Sequence, residues 1–442
     1  MRPLLINPIP SLKGKINLAG DKSIAHRAVI LSAISRGNTV IKNFPLNQDC
    51  LYTLNAFRKL GVRILSPLGR KSDTLVVSGS GLHGLRKPPG PLFVGDSGTT
   101  LRLLTGLLAG QDFKAMLKTG SSLAKRPMLR VTLPLRMMGA KIEAGRRKMG
   151  GRPQEYPPIT IKPGKLQGIN YKTPVASAQV KSAILLAGLY AKGDTRVIES
   201  LKTRDHTERM LSAFRAKIKM KKNTITIKGG EELVSPKSIH IPGDISSASF
   251  FIVLGSIVPC ANIRINNVGL NPTRTGVLTV LKRMGAKIEI VKPRVTGAEP
   301  QGDLLVRGSF LKATTVKKKE IPGLIDELPV LMVAACYASG KMIFEGVEEL
   351  RVKETDRISS MSLNLRKMGA DIKVIKKGKS EKVIIKGAKK LIGCSVRSFQ
   401  DHRTAMSLVV AGLKAEGQTR IDDISCINKS FPNFLTLLKT LS

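Results

Sequence analysis

The sequence predicts an α/β chain of two similar domains, with three supersecondary units in each. Three observations predict it. The chain has 442 residues, too many for one hydrophobic core. A helix end running through glycine into a strand recurs along it. Small polar residues opening an apolar helix recur six times.

The first phrase reads Leu135-Arg136-Met137-Met138-Gly139-Ala140-Lys141-Ile142, then Leu281-Lys282-Arg283-Met284-Gly285-Ala286-Lys287-Ile288, then Leu365-Arg366-Lys367-Met368-Gly369-Ala370-Asp371-Ile372. A looser copy is Phe57-Arg58-Lys59-Leu60-Gly61-Val62-Arg63-Ile64. The gap between Gly139 and Gly285 is far longer than the others. Phe214-Arg215-Ala216-Lys217-Ile218 lies inside it, shortened and without the glycine. Each copy reads as a helix end, a glycine in the left-handed cap, and a strand starting at the isoleucine.

The second phrase opens each unit in turn. Gly20-Asp21-Lys22-Ser23 precedes the apolar run 24–34, and Gly95-Asp96-Ser97-Gly98-Thr99-Thr100 precedes 101–109. Val175-Ala176-Ser177-Ala178-Gln179 precedes 180–189, and Gly243-Asp244-Ile245-Ser246-Ser247 precedes 248–257. Asp326-Glu327 precedes 328–337, and Asp401-His402-Arg403-Thr404 precedes 405–413. Ser, Thr and Asp at such starts are N-caps. Strand-like runs follow most of these helices. Six units divide as three plus three, with the boundary near Ile241-Pro242-Gly243: residues 20–242 form one domain, and residues 1–19 with 243–442 the other. The N-terminal strand, 15–18, then returns to the second domain. A cleft between such halves is a good place for a ligand.

Composition narrows the function. Hydrophobic residues make up 42%, aromatics only 4%, and Trp is absent, so the cores are aliphatic and few rings are on offer for stacking on bases. Lys and Arg number 74 against 31 Asp and Glu, a net charge of +43, which points to anionic partners. The cations are spread along the chain, with no basic tail. Cys50, Cys260, Cys336, Cys394 and Cys426 form no CxxC pair and read as buried thiols in a reducing compartment, without a zinc site or disulfide framework. The longest uncharged run, 245–263, holds four serines, a Gly, Pro259 and Asn262, and reads as a buried helix entering a strand rather than a membrane span. A soluble cytoplasmic protein is the expectation.

The stretch Leu350-Arg351-Val352-Lys353-Glu354-Thr355-Asp356-Arg357-Ile358 concentrates charge. Lys353 and Arg357 are four apart, so a helix would place them on one face, with Glu354 and Asp356 beside it. Such a set can hold a phosphorylated substrate and move a proton on it. The plainer reading is a solvated, self-paired helix start. Helix starts with a cation beside the cap, Lys22 with Ser23 and Arg27, and His402 with Arg403, suit phosphate or carboxylate. No GxxxxGK[ST] loop is present.

Together, 20–27, 95–102, Ser177-Ala178-Gln179, Arg351–Arg357, Asp401–Met406 and Lys429-Ser430-Phe431-Pro432 resemble the 5-enolpyruvylshikimate-3-phosphate synthase family, over nearly the whole chain. Thr203-Arg204-Asp205-His206-Thr207-Glu208 resembles its second bacterial class. The resemblance implies two similar domains of three βαβαββ units each, an inverse α/β barrel-like fold, with the active site in the interdomain cleft. It implies transfer of the enolpyruvyl group of phosphoenolpyruvate to the 5-hydroxyl of shikimate 3-phosphate by addition and elimination. No metal or organic cofactor, no specific nucleic acid, no membrane and a monomer are the accompanying expectations.

The resemblance also implies roles. Lys22, Asp326 and Glu354 resemble the catalytic set: a lysine touching both substrates, the carboxylate taking the 5-hydroxyl proton, and the one exchanging protons at the methylene carbon. Lys22, Ser23, Arg27, Ser177, Ala178 (through its backbone), Gln179, Arg204, Asp326 and Lys353 resemble the shikimate 3-phosphate ligands. Lys22, Gly98, Arg126, Gln179, Arg357, Arg403 and Lys429 resemble the phosphoenolpyruvate set, with His402 an accessory polar group. Asp96 stands where Asn is common, and Thr203 where Ser is. Without the resemblance, Asp326-Glu327 reads first as a helix N-cap pair; Asp401-His402-Arg403 reads equally as a surface cap, and His26, among apolar residues, as structural. The sister UDP-N-acetylglucosamine enolpyruvyl transferase would need a loop cysteine after glycines, RNA 3′-phosphate cyclase a histidine nucleophile near its end, and a basic RNA-binding protein would leave the ordered carboxylates unexplained.

Overall fold

The computed structural model describes residues 3–66, 73–378, 380–387 and 390–441. The chain divides into two compact units. The first holds Gly20–Ile241 with Thr296–Glu299. The second holds the residues up to Ala19, Pro242–Val295, and those from Pro300 on. Each has its own core, built mainly of Leu, Ile, Val and Ala.

One plan recurs in the sheets. Leu92–Phe93 and Ala115–Lys118 pair in parallel, with the Gly98–Leu108 helix between them in the chain. A parallel pair needs such a crossover. The Leu129–Met137 helix then leads into the hairpin Lys141–Met149/Arg152–Lys162, whose second strand lies antiparallel to Ala115–Lys118. This is βαβαββ. It recurs in the sheet of Asn170–Lys172, Asp194–Ile198, Ile218–Lys221 and Thr224–Lys228. It recurs again in that of Thr315–Val316, Lys341–Glu345, Asp371–Lys377 and Ser380–Lys386. The start of the chain completes two sheets of the second unit. Ser11–Asn17, longer than the expected strand, runs parallel to Cys260–Asn266, and Leu4–Ile6 runs antiparallel to Thr419–Ile421.

The recurring glycines take the expected left-handed conformation, with φ of 87° at Gly61, 98° at Gly139, 90° at Gly285 and 93° at Gly369. In the shortened copy Arg215 takes that place, at φ 62°. The phrase's arginine has its own task. Arg58, Arg136 and Arg366 each donate to the carbonyl of the isoleucine in the first two residues of the next strand, Ile64, Ile142 and Ile372.

In the second unit the helices Ile245–Ile257, Leu328–Cys336 and His402–Lys414 pack on one another and are buried almost throughout. In the first, Gly98–Leu108 packs on Ala178–Gly188, and Lys22–Ala33 on His206–Ala213. Helices apolar on every face belong inside. Such a helix can offer a ligand only its first turn, and the candidate residues cluster there.

Candidate active site

In the first unit, Asp21 caps the Lys22–Ala33 helix by accepting from the Ile24 N–H at 2.9 Å. Lys22 leads that helix. Its ammonium lies 2.9 Å from Asp49 Oδ2, in the first turn of the Gln48–Lys59 helix. Both side chains keep about a fifth of their surface open, 21% and 20%. Half-buried Ser23 gives its carbonyl to Arg27 Nη1 at 2.8 Å. Arg27 also donates to Thr207 Oγ1 at 2.6 Å and to Ser182 Oγ at 2.8 Å. Burial pulls its guanidinium down to about 10. Every nitrogen of Arg27 is therefore engaged, and only the second hydrogens of its Nη atoms remain for a ligand.

His26 is structural. Its Nδ1 meets Thr53 Oγ1 at 2.7 Å, Thr53 meets Thr100 at 2.7 Å, and Thr100 meets Ser97 Oγ at 2.7 Å. Burial holds its pKa down, at about 3. Ser97 caps the Gly98–Leu108 helix. A Cβ on Gly98 would lie 2.8 Å from Arg102 Nη1 and 3.6 Å from Arg126 Nη1, so the glycine keeps the space beside two guanidiniums open. Arg102 donates to Gln179 Oε1 at 2.5 Å, and Gln179 Nε2 to Thr99 Oγ1 at 2.9 Å. Asp96 is used internally: Oδ1 accepts from the Leu123 N–H at 3.0 Å and so fixes the turn leading to Arg126.

Ser177 caps the Ala178–Gly188 helix, accepting from the Val180 N–H at 3.4 Å, and Ala178 is its first residue. Ser177, Ala178 and Gln179 are half-buried, and so is Arg204, in the segment before the His206–Ala213 helix. His206 Nδ1 lies 2.8 Å from Glu299 Oε1.

In the second unit the focus is Arg357. It is 1% exposed, and Nε donates to Asp401 Oδ2 at 2.9 Å, Nη1 to Asp326 Oδ1 at 3.5 Å, and Nη2 to Glu354. Burial opposes its charge, but these three carboxylates outweigh burial and raise its pKa above the ordinary value. Asp401 is fully buried and caps the His402–Lys414 helix through the N–H groups of Arg403 (2.8 Å) and Thr404 (3.4 Å). Burial raises the Asp401 carboxyl, and Arg357 brings it below the usual range. It is thus an internal anchor and not a surface cap.

Arg403 Nη1 donates to the Asp326 carbonyl at 2.8 Å, with Nη2 3.8 Å from Asp326 Oδ2. His402, buried, opens the same helix, and half-buried Lys429 ends the turn Ser425–Lys429. Asp326-Glu327 is not a side-chain cap pair. The other five helix starts are capped by Asp21, Ser97, Ser177, Asp244 and Asp401, whereas Glu327 makes no cap bond. Glu327 instead accepts from Ser246 Oγ, and Asp326 faces the two arginines.

One expectation is corrected. Lys353 and Arg357 do not share a helix face. The 3₁₀ turn Glu348–Val352 ends at Lys353 in extended backbone, and the helix begins at Arg357. Asp356 is its N-cap, accepting from the Ser359 N–H at 3.0 Å, and a cap residue lies outside the helix. Part of the charge run is self-paired: Arg351 bonds Glu381 at 2.8 Å and Asp356 at 2.5 Å. Burial lowers the Lys353 pKa, and Asp326 and Glu349 oppose the shift.

Sequence reasoning missed Asp49, Arg102 and Asp401 as site residues. Asp49 had a signal, an acid one residue into a helix capped by Asn47. Arg102 follows Gly98 by one helical turn.

The EPSP synthase (3-phosphoshikimate 1-carboxyvinyltransferase) family model matches residues 6–438. A 3-phosphoshikimate 1-carboxyvinyltransferase of Desulforamulus reducens is 47% identical over 436 residues, covering 99% of this chain and 98% of that protein. One of Shouchella clausii is 47% identical over 438 residues, with the same coverage. An EPSP synthase structure from Acinetobacter baumannii superposes with a TM-score of 0.87 at 42% identity, covering 99% of this chain and 98% of that one. Likeness of this degree in sequence and fold, along the entire length that carries the two charged sets, means that the chain belongs to the EPSP synthase family.

Proposed function

We propose that the two sets of charged residues carry the enolpyruvyl transfer of this family, from phosphoenolpyruvate to the 5-hydroxyl of shikimate 3-phosphate with release of phosphate. The substrates bring two phosphates and two carboxylates. Ser23, Ser177, the Ala178 N–H, Gln179, Arg204 and Lys353 take shikimate 3-phosphate, with Arg27 as support. Arg126, Arg403 and Lys429 take phosphoenolpyruvate, with Arg357 as support, beside the space that Gly98 leaves open. Guanidiniums suit these anions because they bind oxygen pairs in a fixed fork.

One observation carries the assignment of the carboxylates: Arg357 sorts three of them by exposure. The Asp401 side chain is 0% exposed and holds the guanidinium from within, whereas those of Asp326 and Glu354 are 18% and 32% exposed. Only the latter two can reach a substrate. Asp326 takes the 5-hydroxyl proton as that oxygen bonds to C2 of phosphoenolpyruvate. A proton from Lys22 or Glu354 reaches C3, which becomes a methyl group. Glu354 then removes a proton from C3, the C2=C3 double bond reforms, and the C2–O bond to phosphate breaks. Lys22 is held beside Asp49, which suits a cation that must stay in place while protons move around it. The reading needs one copy of the chain and no cofactor.

Phosphate release by the purified chain tests this reading. Release is expected only when both substrates are present, and in D₂O the methylene group of the product should carry deuterium. Release from phosphoenolpyruvate alone, or none from the folded protein with both, overturns it.

A further inference from the structure

We infer that Lys181 is a positioning residue for shikimate 3-phosphate: it holds the segment that carries Arg204 at both ends without touching the ligand. The inference rests on the reading above, that Ser177, Gln179 and Arg204 take this substrate.

Lys181 lies in the first turn of the Ala178–Gly188 helix and is 0% exposed. Its ammonium is 2.9 Å from Glu199 Oε1 and 2.6 Å from Glu208 Oε1. Glu199 directly follows the Asp194–Ile198 strand, just before the Arg204 segment. Its Oε1 also accepts from the Thr203 N–H at 3.0 Å and from the Thr203 hydroxyl. Glu208 lies on the His206–Ala213 helix, just after that segment. One buried cation thus grips the chain before and after Arg204, from the helix whose start carries Ser177 and Gln179. The next residue repeats the pattern: Ser182 Oγ accepts from Arg27 Nη2 at 2.8 Å and meets Thr207 Oγ1 at 2.6 Å.

A buried ion cluster adds little stability over well-packed apolar side chains, because desolvation offsets the attraction. What it adds here is direction, since its bonds end on the Thr203 backbone beside Arg204. Burial raises the Glu208 carboxyl above the ordinary range, and Lys181 opposes that. A variant without Lys181 can therefore relieve the lost charge by protonating Glu208, which favours its folding.

The experiment compares Lys181→Met, Glu199→Gln and Arg204→Ala for both KM values, kcat and thermal unfolding. Lys181→Met should raise the KM for shikimate 3-phosphate about tenfold, the scale of loss from displacing a binding group by less than an ångström. The KM for phosphoenolpyruvate should stay unchanged. Adding Lys181→Met to Arg204→Ala should raise the KM no further, because the group being positioned is already gone. Should Lys181→Met not fold, Glu199→Gln decides, since it leaves Lys181 and Glu208 as a neutral pair; a smaller rise confined to the same KM is expected. If Arg204→Ala leaves that KM unchanged, the site reading fails and this inference with it. If Arg204→Ala raises it but the Lys181 and Glu199 variants do not, or if they raise both KM values alike as stability falls, this inference alone is overturned.

Discussion

At the residue scale, two positions make predictions that depend on their immediate neighbours. A methyl group on Gly98 would press on Arg102 Nη1, the atom that holds Gln179. The arginine tip can move, but its bond to Gln179 is then lost. Gly98→Ala should therefore fold normally and raise the KM for shikimate 3-phosphate, which Gln179 takes, about tenfold, the scale of one hydrogen bond to a charged group. The KM for phosphoenolpyruvate should rise as well, because the methyl group takes part of the space beside Arg102 and Arg126, and steady-state kinetics with each substrate varied in turn checks this. Lys353 supplies a pH dependence. Burial lowers its pKa from 10.5, so the protein loses this positive charge at a lower pH than a free lysine would. The KM for shikimate 3-phosphate should rise on the alkaline side below pH 10.5. Lys353→Arg, which stays charged, should move that limb upward. An unmoved limb would assign it to another group. The residue types at these positions were legible in the sequence, but their pairings were not. Asp49, Arg102 and Asp401 come from other segments than the residues they hold, and spacing along the chain carries no record of such contacts.

At the scale of elements, the repeats were the most legible feature, because each one encodes a local conformation. The glycine of the phrase predicts a left-handed cap, and four copies have it. The copy without it tests the rule. Arg215 stands exposed at φ 62° where the others have glycine. A left-handed conformation costs a side chain about 1 kcal/mol. Arg215→Gly should raise unfolding stability by up to about that amount and leave activity unchanged, as denaturant unfolding and turnover would record. The six helix starts were legible as caps, since Ser and Asp announce them. The exception, Asp326-Glu327, was not distinguishable as such. Whether a carboxylate caps its own helix depends on what competes for it, and here Ser246, Arg357 and Arg403 compete from other elements. The Lys353–Arg357 expectation failed for a related reason. Spacing of four implies a shared face only inside one helix, and the Asp356 cap starts the helix after Lys353.

At the scale of the whole molecule, the net charge of +43 is the unusual property. Both substrates are anions, so the field of the chain should draw them in. Raising ionic strength from about 0.01 M to about 0.1 M shortens the screening length from roughly 30 Å to roughly 10 Å, so kcat/KM should fall several-fold while kcat holds. A kcat/KM indifferent to salt would leave the charge without a catalytic role. We propose that, of the three carboxylates gathered on Arg357, Asp326 and Glu354 do the proton transfers. The most direct test is phosphate release with both substrates by Asp326→Asn and Glu354→Gln beside the unaltered chain. Each variant should fold, bind both substrates and lose about 100-fold or more in kcat, the lower end for a lost general acid or base. Undiminished release in either variant would contradict the account.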